Sequence, residues 1–359
     1  MIDEDELRRV DVGELRTLVE QIFGACGMSG VDARLLTDQL INADLGGTHS
    51  HGVLRVREYV KKLREDGVDP CGRPAVERDS GACIVVDGHN AMGQIVAHFA
   101  MTEVIRRAGE HGIAAAGVRG SNHCGTMAYY ATMALEHDMI GIATTNALPT
   151  MAPWGGTERL LGINPLGVAI PAGSECPIVY DAAFSGSSHG KVRIHQQKGL
   201  SIPEGWALDR DGRPTTDPAA AIEGLLMPIG GFKGTGLALI MGILSSMLSG
   251  AAYGAELGNM EDGPRSGADG HFVAAIKIDS FEDPDRFKKR IDAAIGEIHA
   301  SRPAAGVDQI YTPGELEFMH REDYEAHGIP LNAQTLSDIA TAADAVGVAT
   351  DTNTWLIDV

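Results

Sequence analysis

Between residues 83 and 145 the chain switches repeatedly between two hydrophobic periods, and that switching constrains the fold more than any other feature. Cys83 to Val86 reads as a strand, Met92 to Ala108 as a helix, and Ile113 to Val118 as a strand again. A helix from Thr126 to His137 then leads to a strand at Ile140 to Thr144, with further strands expected at Leu166 to Ile170 and Ile178 to Asp181. Strands alternating with helix-length segments build an α/β core. The first third reads differently. Leu15, Leu18, Val19, Ile22 and Phe23 recur at helical spacing behind Asp11, a plausible N-cap, and Ser29 with Asp32 opens a second helix carrying Leu35, Leu36, Leu40 and Ile41. A third helix is predicted from Gly52 to Asp66, with Val53, Val56, Val60 and Leu63 inward and Arg57, Lys61, Lys62 and Arg64 toward water. Lys198 to Gly224, with three prolines and four glycines, reads as a surface loop, Phe272 to Ile278 as a strand, and Phe287 to Ala300 and Gln334 to Ala345 as helices.

Composition removes several classes of function. Lys plus Arg number 29 against 49 Asp plus Glu, a net charge of -20, and such a field repels phosphate backbones. Nucleic acid is therefore not an expected partner. The five cysteines (Cys26, Cys71, Cys83, Cys124, Cys176) are odd in number, scattered, and never paired as C-x-x-C, which argues against a disulfide framework and a structural zinc site and for a reducing cytoplasm. Met1 to Glu14 is acidic and has no apolar core, so no secretory signal is expected. Gly234 to Ala255 is uncharged, but its glycines and serines suit a helix buried between protein layers better than a membrane span.

Three segments concentrate chemistry. In Thr48-His49-Ser50-His51-Gly52, followed by Arg55 and Tyr59, the predicted helix puts His51, Arg55 and Tyr59 at i, i+4 and i+8 on one face. A guanidinium fork suits a carboxylate, a phenol adds a donor, and Ser50 lies near a helix N-terminus that favours anions. Ser121-Asn122-His123 follows a strand, where open α/β sheets gather ligands, and an imidazole there suits acid–base work. Gly230 to Gly236, containing Lys233, opens the neutral helix with free N–H groups and a cation, a candidate phosphate cradle. Neither G-x-x-x-x-G-K-[ST] nor G-x-G-x-x-G occurs, so triphosphate hydrolysis and an ordinary Rossmann domain both lose support. A rival reading takes His49, His51, His123, Glu175, Asp181 and His189 as a divalent-metal hydrolase site, although no recognised ligand spacing links them, and no metal is expected.

Taken together, Ser50-His51-Gly52-Val53 with Arg55, Ser121-Asn122-His123, Thr145-Asn146 through Gly155-Gly156, Leu161 to Pro165, Asp181-Ala182-Ala183, Gly190-Lys191, Ile202 to Trp206, Gly230 to Gly236 and Pro313-Gly314-Glu315 resemble the malate/L-lactate dehydrogenase family of the non-Rossmann type. The resemblance spans almost the whole chain. It implies NAD- or NADP-dependent interconversion of a small 2-oxo acid and its 2-hydroxy acid, or reduction of a related cyclic imine carboxylate. The implied fold is a mixed-sheet NAD(P)-binding α/β fold with a helical N-terminal region, as a homodimer. Residues 1–75, joined by C-terminal helices within 306–359, are expected to line the substrate, and 76–305 to form the cofactor-binding region. The resemblance makes His123 the catalytic acid and base, with Ser50 and His51 at the reacting oxygen. Arg55, Tyr59 and Asn122 are expected at the substrate. Asn146, Ala147, Leu148, Asp181, Ala182, Ala183, His189, Lys233, Pro313, Gly314 and Glu315 match cofactor-contacting segments. Cys124, Ala147-Leu148 and Phe184 depart from the family's common pattern.

Overall fold

The computed structural model describes residues 7–197 and 199–350. Strand β1 (Leu7–Val10) precedes helices α1 (Val12–Ala25), α2 (Gly30–Leu45) and α3 (Val56–Arg64). Then come β2 (Ala75–Asp79), β3 (Cys83–Asp87), α4 (Gly93–His111), β4 (Ile113–Ser121), α5 (Met127–Thr132), β5 (Met139–Thr145), β6 (Leu166–Ile170) and β7 (Ile178–Ala182). A small lobe holds α6 (His189–Gln197), β8 (Ala207–Leu208), β9 (Pro214–Thr215), α7 (Pro218–Glu223) and β10 (Leu225–Leu226). Helix α8 (Phe232–Gly242), β11 (Asp269–Lys277), α9 (Pro284–His299), α10 (Glu315–His327), β12 (Ile329–Asn332) and α11 (Ala333–Ala345) complete the described chain.

The main sheet runs β2-β3-β4-β11-β5-β6-β7. Only β3 and β4 pair in parallel, with α4 as their crossover; the other neighbours are antiparallel. This is the expected mixed α/β sheet. Its consequence for the site comes from β11, a late strand inserted between β4 and β5. Because β11 runs against both, its first residues lie beside their carboxyl ends: Asp269 opposite Ser121, and His271 opposite Val118 and Thr145.

Local chemistry explains the helices. Asp11 caps α1 by accepting from the Glu14 N–H at 2.9 Å, and Ser29 caps α2 by accepting from Asp32 N–H at 3.2 Å. Leu15, Val19, Ile22, Phe23, Leu36, Leu40, Val53, Val56 and Val60 share one apolar core with Ile329, Leu331 and Ile339 from β12 and α11. β1 and β12, two strands with no clear sequence signal, pair antiparallel and fasten the first and last parts together. A second core packs α4 against the alanine-rich inner sheet through Val96, Ala100, Met101 and Val104.

Three expectations need correction. The third helix does not begin at Gly52: two 3₁₀ turns, His49–His51 and Val53–Arg55, precede α3. Residues 198–224 are not merely a loop, because Ile202, Ala207 and Ala221 join Val192 and Phe184 in a third core, and β10-β8-β9 form a small sheet. The neutral helix is not enclosed. Ala238, Gly242, Ser245 and Ser246 face inward and let it lie close to the sheet, whereas Phe232, Ile240, Met247 and Leu248 are 51–63% exposed. A π turn at Ile243–Met247 extends it. Small residues take the packed side, so the large aliphatic ones have nowhere to point except outward.

Candidate active site

His123 stands one residue beyond Asn122, just past the carboxyl end of β4, partly open to a cavity of about 240 Å³. Arg55, Glu58, Tyr59 and Lys62 from the N-terminal helices form one wall; Asn122, Asn146, Ala147 and Leu148 from the ends of β4 and β5 form another, and Gly267 and Asp269 close the site. Tyr59, 2% exposed, has its hydroxyl 2.6 Å from His123 Nδ1. That same oxygen accepts from Gln94 Nε2–H at 2.9 Å, so the phenolic hydrogen is left to point at His123 Nδ1. That arrangement corresponds to the His123 tautomer with hydrogen on Nε2. His51 lies almost parallel to His123, with ring centroids 5.6 Å apart, and its Nδ1 is 2.9 Å from Ser50 Oγ.

Arg55 is held from two sides. Its Nε–H donates to the Ser50 carbonyl at 2.8 Å and its Nη1–H to Glu58 at 2.7 Å, leaving the rest of the fork for a ligand. The turn that carries Ser50 and His51 hangs on Asp44, which is fully buried and accepts from His49 Nδ1–H at 2.8 Å and Val53 N–H at 2.7 Å. Gly52 is glycine for lack of room: a Cβ there would sit 2.1 Å from the Asp44 carboxylate. Gly93 plays the same part at the start of α4, where a Cβ would fall 2.0 Å from the Asn122 carbonyl oxygen. Its absence lets α4 abut the Asn122–His123 backbone and delivers Gln94 to Tyr59.

Burial, then the neighbouring His51, Arg55 and His271, push His123 well below the usual imidazole range. His51 is lowered to about 4 by burial and by Arg55. His271, on β11, is lowered to about 3 by burial and bridges two strand ends, with Nε2 2.7 Å from Ser121 Oγ and Nδ1 2.8 Å from Thr145 Oγ1. Asp269 is raised to about 7 by burial, opposed by the Lys62 charge. Burial thus favours the neutral form of all three imidazoles.

The chain matches the malate/L-lactate dehydrogenase family over residues 10–340. The chain belongs to that family. A malate dehydrogenase of Pyrococcus horikoshii is 36% identical over 355 residues, covering 97% of this chain and 98% of that protein. The structure of sulfolactate dehydrogenase from Methanocaldococcus jannaschii superposes with a TM-score of 0.91 at 32% identity, covering 97% of this chain and 99% of that one. That of delta1-piperideine-2-carboxylate reductase from Pseudomonas syringae does so with a TM-score of 0.84 at 29% identity, covering 94% and 100%. As a malate/L-lactate dehydrogenase family enzyme, the chain is an NAD(P)-dependent 2-hydroxy acid dehydrogenase. The metal-dependent hydrolase reading falls with that membership, and among the described residues no three His, Cys, Asp or Glu side chains converge as metal ligands.

Within this family member the residues singled out from sequence fall into three places. Ser50, His51, Arg55, Tyr59, Asn122, His123, Asn146, Ala147 and Leu148 gather in or beside the cavity. Asp181 and Ala182 end β7, where Val179 N–H donates to the Pro313 carbonyl at 2.8 Å, so Ala183 and Gly314–Glu315 lie on the same edge. Lys233 is exposed, in the first turn of α8 behind Gly230 and Gly231, whose φ values are 58° and 65°. The side chain of His189 lies outside the described residues. Buried hydroxyls of Ser187 and Thr312 near this strip lack any partner, as groups awaiting a polar ligand do, and they fit a dinucleotide.

Several of these side chains also make contacts that the sequence did not show. Tyr59 serves His123, and its face relation to His51 is made by successive turns instead of one helix. The Asn122 amide donates to the Ala91 carbonyl at 2.9 Å and accepts from Gly267 N–H at 2.8 Å. Asn146 donates to the Ala252 carbonyl and accepts from Gly270 N–H, and so positions the Ala147–Leu148 backbone. Asp181 accepts from Ala128 N–H at 2.8 Å, and Glu315 accepts from Thr312 N–H and lies 2.8 Å from His299 Nε2. Lys62, expected in water, is 4% exposed, donates to the Arg265 carbonyl, and faces the Asp269 charge. Gln94, Asp44 and His271 carried no sequence signal, since a lone buried Gln, Asp or His looks like any surface residue until its neighbours are placed.

Proposed function

We infer that this enzyme reversibly reduces a small 2-oxo acid to its 2-hydroxy acid, with His123 as the proton donor. The observation that carries the reading is the common cavity: the open part of the Arg55 fork and the imidazole of His123 line one space sized for a small acid. Arg55 holds the carboxylate in bidentate fashion. His51, steadied by Ser50, positions the reacting oxygen. NAD(P)H, when bound, supplies the hydride that C2 receives. His123 delivers its Nε2 proton to the carbonyl oxygen, and in the oxidative direction takes it back. Ala147, Leu148, Asp181–Ala183, Pro313–Glu315, His189 and Lys233 would hold that cofactor. In this division residues 1–75 with the C-terminal helices present the acid, and residues 76–305 present the cofactor; residues 351–359 fall outside the described chain.

A cyclic imine carboxylate is the second candidate substrate, because the same guanidinium and proton donor suit a C=N bond and a structural relative is named as a piperideine-2-carboxylate reductase. The outward aliphatic face of α8 supports a homodimer built over it, and five unpaired cysteines support a cytoplasmic setting. No helix among the described residues is long and apolar enough to cross a membrane. A panel of 2-oxo acids and cyclic imines assayed with NADH and NADPH tests the reading. His123→Ala is expected to lower kcat by about 10²- to 10⁴-fold while cofactor still binds. Turnover near that of the parent would remove His123 from the chemistry.

A further inference from the structure

The part of the site that the proposed chemistry leaves unused is Gln94. It is 0% exposed, its Nε2–H donates to the Tyr59 oxygen at 2.9 Å, and its Oε1 is buried without any partner. A buried acceptor with no donor is costly, and an amide offers its two ends in nearly identical shapes, exchanged by a half-turn of the terminal torsion. We propose that Gln94 is a positioning residue whose amide turns over during the cycle, so that Tyr59 donates to His123 Nδ1 in the free enzyme and accepts from it once the imidazole carries a proton there.

The argument follows the hydrogens. In the free enzyme Gln94 donates to Tyr59, Tyr59 donates to Nδ1, and His123 is neutral with its hydrogen on Nε2. A neutral imidazole in that state is a poor acid, because losing the Nε2 proton would leave an anion. To act, His123 must take up a proton from solvent so that both nitrogens carry hydrogen. Nδ1–H then needs an acceptor, and the only group at that nitrogen among the described residues is the Tyr59 oxygen, 2.6 Å away. The phenolic hydrogen must turn elsewhere, and Gln94 Oε1, brought round by the half-turn, receives it. After Nε2 gives its proton to the substrate oxygen, His123 is neutral with hydrogen on Nδ1, and the Tyr59–Gln94 arrangement stays as it is. Solvent then reprotonates Nε2, and once the product has left the Nδ1 proton is lost to solvent, the phenolic hydrogen turns back to Nδ1 and the Gln94 amide returns to its first arrangement. The groups facing the ring that also bias its charge are His51 and Arg55 from the 3₁₀ turns, Glu58, Tyr59 and Lys62 from α3, Cys124 beside it, and Asp269 and His271 from β11. None of them except Tyr59 reaches Nδ1.

This inference rests on the reading of His123 as the acid, and the test separates the two. In ¹⁵N-histidine spectra of the free protein, with the His123 signals assigned by their loss in His123→Gln, the parent is expected to show hydrogen on Nε2 at neutral pH. Gln94→Leu removes the acceptor that the charged form needs, so the His123 titration and the matching limb of the kcat profile for reduction should move down by about one pH unit. Gln94→Glu supplies a permanent acceptor and should move both up by at least about one unit, restoring turnover at a shifted pH. The KM for the oxo acid should stay within about twofold, because the Arg55 fork is untouched. A neutral His123 with hydrogen on Nδ1 in the parent, or titrations that do not move in either variant, would overturn the role of Gln94. A shifted ring titration with no NAD(P)H-dependent reduction would leave the Gln94 relay standing and defeat the assignment of function instead. Should Gln94→Leu fail to fold, the parent's tautomer and Gln94→Glu still decide.

Discussion

Gly52→Ala isolates the contact that sets the substrate-side wall. The backbone at Gly52 has φ −88° and is open to any residue, so the effect of a methyl there is purely one of space. The new Cβ would lie 2.1 Å from Asp44 Cγ and Oδ1 and 2.2 Å from Oδ2, against an ordinary contact of about 3.5 Å, so about 1.4 Å of clearance is missing. Asp44 cannot retreat without giving up His49 Nδ1–H at 2.8 Å and Val53 N–H at 2.7 Å, and it has no water to turn to. Separating a buried carboxylate from its donors costs about 3–5 kcal/mol, softened if the group protonates, a change that burial already favours by raising its pKa. The alternative is displacement of the turn that carries Ser50, His51 and Arg55. A shift of about 1 Å there is worth on the order of 10²-fold in rate. Urea unfolding and kcat/KM together should therefore show a loss of about 3 kcal/mol in stability, or about 10²-fold in kcat/KM at unchanged cofactor affinity, or a division between the two. A variant with the parent's unfolding midpoint and the parent's kcat/KM would falsify the packing argument.

Arg55→Lys keeps the charge but loses the fork, so KM for the 2-oxo acid should rise by about tenfold or more with a smaller change in kcat; an unchanged KM across the panel would refute the carboxylate assignment. His271 makes stability depend on pH. Its folded pKa of about 3 lies below the ordinary value of 6.5, so the unfolded chain binds a proton that the folded one refuses. Its contribution is complete above about 6.5 and is lost at about 1.4 kcal/mol per pH unit as pH falls toward 3. His271→Asn should flatten the stability curve in that window, measured by denaturant titration at fixed pH steps; a curve parallel to the parent's would contradict the buried neutral imidazole. Ile240→Glu, on the outward face of α8, should shift sedimentation toward the monomer, and an unchanged mass would exclude that face as the contact.

Much of the frame is visible in the sequence because it depends on local pattern. The periodicity at Leu15–Phe23, the caps Asp11 and Ser29, and the strand at Leu166–Ile170 each follow from neighbours along the chain. The insertion of β11 between β4 and β5 does not, since pairing order is decided by contacts more than 100 residues apart, such as that between Thr145 and His271. The gathering of Ser50, His51, Arg55 and His123 was legible through motif and resemblance. Their supports were not. Asp44 and Gln94 become meaningful only once α2 and α4 bring them against the 3₁₀ turn and Tyr59. That one face of α8 is left open in the single chain did not follow from the sequence, because hydropathy reports how apolar a helix is and not which side its small residues occupy.

The most direct measurement is a crystal structure of the complex with NADH and oxamate, an acid shaped like the substrate but resistant to reduction. The carboxylate is expected on the Arg55 fork, the amide carbonyl oxygen within hydrogen-bond distance of His123 Nε2, and the nicotinamide beside Ala147 and Leu148. A carboxylate bound away from Arg55, or a carbonyl oxygen that His123 Nε2 cannot reach, would contradict the account at its centre.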